Sequence, residues 1–148
     1  MYTGLLYTHS ILRYAVLFLL LIVVIKSMAG WLGKKPFTKG DDKFSLFLLI
    51  STHLQLVVGL VLYYFSPFVQ FNSNTMKVAE TRYWSVEHIF MMLLAIVLIT
   101  VARITHKKLA DDNAKHKRLF ILNAGALLII IVAIVFSGRA LLGSVIFN

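Results

Sequence analysis

Residues 119 to 138 read LFILNAGALLIIIVAIVFSG, without a single charged side chain. A run of this length matches the roughly 20 apolar residues, each rising about 1.5 Å, that an α-helix needs to cross a hydrocarbon layer. Three further runs of the same kind lie upstream, at about Leu5 to Ile25, Phe44 to Phe65 and Trp84 to Ala102. Within lipid only helices or closed barrels satisfy the backbone, and none of these runs alternates with a period of two, so all four are helices. They use most of the 148 residues and leave only short connections. The expected fold is therefore all-α, one integral membrane domain over 1–148, built as an up-down bundle of four transmembrane helices.

Composition agrees. The chain is 59% hydrophobic with a mean hydropathy of +0.85, against roughly 45 to 50% apolar residues in a soluble domain. It has no cysteine, which excludes disulfides, thiolate metal sites, iron-sulfur clusters and covalent c-type haem attachment by this chain. Any cofactor must be held by His, Met, carboxylates or shape.

The formal net charge is +9, and its placement decides what it means. Lys26, Lys34, Lys35, Lys39 and Lys43 lie between the first two spans, and Arg103, Lys107, Lys108, Lys115, Lys117 and Arg118 between the last two, eleven of the 15 basic residues. The remaining loop, Ser66 to Tyr83, carries only Lys77 and Arg82. The positive-inside rule then places both termini and this loop outside. For a bacterial inner membrane that means periplasmic termini, and the charge is explained by insertion rather than by nucleic-acid binding. The first apolar run contains Arg13 and ends at Lys26 without a small-residue cleavage pattern, so it reads as a retained span rather than a signal peptide. Pro36 and Gly40 are expected to break the first inner loop, Asp41 and Asp42 suit the start of the second helix, and Pro67 follows its end. Tyr83 and Trp84 stand where an outer aromatic belt would anchor the third helix.

An ionisable group inside a span is expensive and usually marks a function. Here these groups are His9, Arg13, His53, Glu87, His88 and Arg139. From the helical rise, His9 and His88 each lie roughly 5 Å inside the outer boundary, whereas His53 lies roughly 13 Å from the inner one, near the bilayer centre. Two histidines at one depth on the first and third helices, diagonal neighbours in such a bundle, can supply both axial nitrogens of a b-type haem (haem b). Gly59 and Ala133 fall at about the same level and would give the macrocycle clearance. Arg139 would pair with a propionate, and Arg13, one turn below His9, could do so by snorkelling outward. His9 and His88 are thus the expected metal ligands. Three roles stay open to His53: interhelical hydrogen bonding, a proton or quinone contact, or an alternative ligand in a different register. Met91 and Met92 read as packing, Glu87 as reaching the interface, and His106 and His116, set among Lys and Asp, as solvated loop residues.

At these residues the chain resembles a known group. The segments Thr8-His9-Ser10-Ile11-Leu12-Arg13-Tyr14, Thr52-His53-Leu54-Gln55-Leu56-Val57-Val58-Gly59-Leu60 and Glu87-His88-Ile89-Phe90-Met91-Met92 are similar to those of small bacterial four-helix membrane proteins described as cytochrome b-like. The likeness covers all four spans and the spacing of the three histidines. It implies a haem-binding membrane protein concerned with electron transfer, but supplies neither partner nor substrate. A more distant likeness to the four-helix halves of haem A synthases lacks that family's carboxylate and cysteine loop features, so its catalysis is not carried over.

Three functions compete. The first is a b-haem electron carrier between the quinone pool or an inner-membrane dehydrogenase and an acceptor, a redox protein, on the outer side. The second is a non-redox accessory subunit packing into a larger membrane complex. The third is a transporter or proton-conducting protein using His53, Gln55 and the outer histidines, the weakest because the spans show neither broken helices nor repeats. No nucleophile with a base, paired acidic site or phosphate loop points to an enzyme.

Overall fold

The computed structural model describes residues 2–67 and 69–136. It is the expected all-α bundle, with four helices long and apolar enough to cross a membrane: α1 Tyr2–Leu32, α2 Lys39–Phe65, α3 Ala79–His106 and α4 Asp112–Phe136. Each extends beyond its apolar run because polar turns at the ends continue the helix into the interface. Gly40 accordingly lies within the first turn of α2 instead of breaking the loop before it.

The ends are set by local chemistry. Thr38 caps α2 through a capping box: its hydroxyl accepts from the Asp41 N–H at 3.2 Å, and the Asp41 carboxylate accepts from the Thr38 N–H at 2.9 Å. At the end of α1, Lys34 adopts a left-handed φ of 49°. This turns the chain so that the Lys35 N–H reaches back to the Gly30 carbonyl at 2.9 Å, the long bond of a Schellman closure, and Pro36 prevents any continuation.

α1 packs against α2 and α4, and α3 against α4, whereas α2 and α3 touch much less than these three pairs. The core joins Val16, Leu20 and Val23 of α1, Leu48 of α2, Ala95 and Ile99 of α3, and Ala126 and Ile130 of α4. Lipid gives apolar side chains no reason to hide from it, so close approach must come from small residues. Ala95 and Ala102 on α3 and Ala126 and Ala133 on α4 are all buried, and each pair is seven residues apart, one stripe on each helix. Phe18, Ile50, Val97, Leu128 and Val135 point outward, as a membrane surface requires.

α3 is not uniform. Its segment Tyr83–Glu87 is π-helical, between the short α-helical turn Ala79–Arg82 and the main run His88–His106. A π turn bonds i to i+5, setting residues five apart one above the other. Tyr83 and His88 are so related.

Candidate functional site at the His9 end

His9 on α1 and His88 on α3 face each other across the diagonal of the bundle, with ring centroids 6.5 Å apart and planes at 73°. The placement of each ring has a cause. The His9 imidazole lies against Gly59 of α2, where an added β-carbon would stand 3.2 Å from its Cε1. One turn away, the Gln55 amide donates to the His9 carbonyl at 2.9 Å, tying α2 to α1 beside the ring. The clearance at Gly59 is therefore taken up by the histidine itself. The Nδ1 of His9 is buried without a hydrogen-bond partner among the described residues.

His88 is oriented by the π turn. Tyr83, buried, donates its hydroxyl proton to the Ala133 carbonyl of α4 at 2.7 Å, and the same oxygen lies 3.3 Å from His88 Nδ1. A phenol has one proton, so with that proton on the carbonyl the oxygen acts as acceptor toward His88, and Nδ1 carries the hydrogen. The lone pair of the imidazole is then on Nε2. The Trp84 ring packs against His88 with centroids 5.2 Å apart. The carbonyl of Ser85, in the middle of the π turn, accepts from the Tyr63 hydroxyl of α2, and the Ser85 hydroxyl holds Gln70 of the connecting loop through both its N–H and its carbonyl.

The other expected residues are placed as follows. Arg13 is partly buried, its guanidinium donating to the Tyr14 hydroxyl at 3.3 Å and lying 5.0 Å from that ring. Glu87 is paired with Arg82 at 2.7 Å. His53 is exposed on α2, with Nδ1 2.9 Å from the Leu49 carbonyl of its own helix. Met92 packs partly buried against the core. Arg139 lies outside the described residues.

At the opposite end the expectation of solvated histidines is overturned. His106 and His116 are 1% and 2% exposed. They flank Phe37, whose ring centroid lies 5.2 Å from each. Arg103, 6% exposed, donates to the Asp42 carboxylate at 2.7 Å and its carbonyl at 2.9 Å, and His106 Nε2 lies 3.5 Å from the same carboxylate. The connecting segment around Pro36 and Phe37 folds over the helix ends and buries these groups. One signal was readable: Arg103 and His106 are three apart, hence on one face of α3.

Among the described residues no group of three or more metal-ligating side chains forms. Comparison with known proteins finds no matching family model, curated protein or solved structure. A functional reading of the His9 end therefore rests on its own geometry.

Proposed function

We propose that this chain is a b-type haem protein of the membrane, concerned with electron transfer, in which His9 and His88 would hold the haem. The observation that carries the reading is their separation. The imidazoles, carried by diagonal helices, face each other with ring centroids 6.5 Å apart, a separation at which both could donate to one metal ion. A bare cation would demand more donors than two imidazoles, whereas a macrocycle brings four of its own. The hydrogen bond from His88 Nδ1 to Tyr83 leaves Nε2 as the ligating nitrogen and holds the ring in orientation, as partners beyond the ligands commonly do. When bound, haem supplies one-electron exchange at its iron. The chain's part would be to hold the group through His9 and His88, to exclude water through Trp84 and Tyr83, and to meet its propionates with Arg139 and a snorkelling Arg13. In this reading the membrane is the bacterial inner membrane, with both termini in the periplasm, and the partners are quinones or redox proteins.

The test is an absorption spectrum of gently purified protein, made with ample haem, before and after dithionite. A sharp reduced low-spin spectrum, lost in both His9→Ala and His88→Ala variants that still insert, is the expected result. The packing of His9 against Gly59 favours one second reading, a non-redox subunit in which the polar side chains serve as interhelical bonds. Colourless protein would make that reading the better one.

A further inference from the structure

At the His106 end of the bundle, α1 and α4 close on each other through aromatic rings. Trp31, in the last turn of α1, and Phe120 of α4 lie with ring centroids 5.7 Å apart. Lys117, three residues before Phe120 and so on the same face of α4, holds its ammonium 5.8 Å from the centre of the Trp31 ring. The electron-rich face of the ring attracts the cation and leaves its three N–H donors for oxygen acceptors. Lys117 is exposed, and no such acceptor meets it among the described residues.

The carboxylates of this end are already engaged. Asp41 and Asp42 hold Lys26 and Arg103. Asp111 accepts from the Ala114 N–H in the first turn of α4, and Asp112 from the Phe37 N–H, both at 3.0 Å. The other lysines of this end and Arg118 therefore form no ion pair among the described residues. Two of these lysines are laid on rings, Lys115 on Phe37 and Lys117 on Trp31, and of the two only Lys117 is exposed.

Below Lys117 the surface of α4 is apolar. Ile121, Leu128 and Val135 fall within about 40° of it around the helix, and they are 50%, 63% and 68% exposed. This stripe faces lipid, with a fixed cation at its head. A free phosphate ion would use the cation alone. A phospholipid uses both, its phosphate on Lys117 and an acyl chain along Ile121 and Leu128, the latter roughly 16 Å further along the axis.

We infer that this face of α4, headed by Lys117 and Trp31, is a binding site for one anionic phospholipid. The lipid phosphate accepts from the Lys117 ammonium, and the Trp31 ring lies at headgroup level, where tryptophan is favoured. Lys34, exposed and joined by its N–H to the Trp31 carbonyl at 3.4 Å, adds a second positive charge beside the headgroup. Net negative charge is what separates this ligand from a zwitterionic lipid. The inference does not depend on haem.

The chain has two tryptophans, Trp31 and Trp84, so the fluorescence of Trp84→Phe protein reports Trp31. In detergent, phosphatidylglycerol brominated in its acyl chains should quench it at a mole fraction at least fivefold lower than phosphatidylcholine with the same chains. One basic residue near an anionic surface is worth about fivefold, so Lys117→Gln should close most of that gap and Lys117→Arg should keep it. Lys108→Gln, which removes the same charge from the same end, should leave the preference unchanged. Circular dichroism checks that each variant is folded, and the Lys117→Arg protein carries the test if Lys117→Gln is not. Equal quenching by the two lipids, or loss of the preference in Lys117→Arg, would overturn the proposal. Equal losses in Lys117→Gln and Lys108→Gln would do so by leaving only diffuse charge, and displacement of the lipid by millimolar glycerol phosphate by leaving an anion site that needs no lipid.

Discussion

The imidazole of His116 on α4 lies so close to Gly30 on α1 that a β-carbon at position 30 would stand 2.4 Å from its Cε1. No real contact is that short, so Gly30→Ala must push the ring away, and the ring is confined on its other side by Phe37. The expected cost is about 1 to 3 kcal/mol, the usual range for overpacking. Thermal unfolding in detergent, followed by circular dichroism, should show a lower Tm. Adding His116→Ala should recover part of the loss, because it removes the atoms the new methyl group meets. A double variant as unstable as the sum of its parts would show that the contact is not the cause.

Asp42 anchors a different kind of contact. Its carboxylate is partly exposed while the Arg103 it holds is buried, so removing the acid strands a cation in the bundle. Asp42→Ala is expected to cost about 2 to 3 kcal/mol, below the full value for a buried pair because solvent still reaches the site. Asp42→Asn should cost less, since its amide oxygen can accept from the guanidinium. Equal losses in the two variants would mean that the carboxylate contributes by charge alone.

The four spans were legible because hydrocarbon imposes one rule on every residue of a helix, and a run such as Leu119 to Gly138 satisfies it without knowledge of its neighbours. The shared level of His9 and His88 was legible for the same reason, since depth follows from rise per residue. What the sequence hid is what depends on contacts between distant segments. Phe37 covers His106 and His116 from the connection between α1 and α2, and only its docking, with the Phe37 N–H donating to the Asp112 carboxylate at 3.0 Å, buries histidines that the sequence reads as solvated. Likewise the π turn at Tyr83–Glu87 has no periodic signature. It is held by partners on other elements, Tyr63 and Ala133, and without it Tyr83 and His88 would not share a face.

Lys34 offers a test of the end of α1. A non-glycine residue at a φ of 49° carries a steric cost of about 1 kcal/mol that glycine avoids. Lys34→Gly should therefore stabilise the fold, by no more than about 1 kcal/mol because glycine also loses more freedom on folding. Chemical denaturation in mixed micelles would read the change. A loss of stability would mean that the Lys34 side chain contributes more than its backbone conformation costs.

Tyr83 joins the fold to the proposed chemistry, so its hydroxyl can be removed with two readouts. In Tyr83→Phe the Ala133 carbonyl and His88 Nδ1 both lose the oxygen they share. Loss of such bonds is worth about 0.5 to 1.5 kcal/mol each, and a merely structural role predicts that stability change and nothing more. If His88 ligates iron through Nε2, the lost acceptor also makes its imidazole a poorer electron donor and frees the ring to rotate. The midpoint potential should then rise and haem should be retained more weakly, while His53→Ala, remote from Tyr83, leaves both unchanged. Redox titration of wild type and Tyr83→Phe side by side is the measurement. An unchanged potential in a haem-loaded Tyr83→Phe variant would show that Tyr83 does not act through the ligand, and would leave it as a bond between α3 and α4 alone.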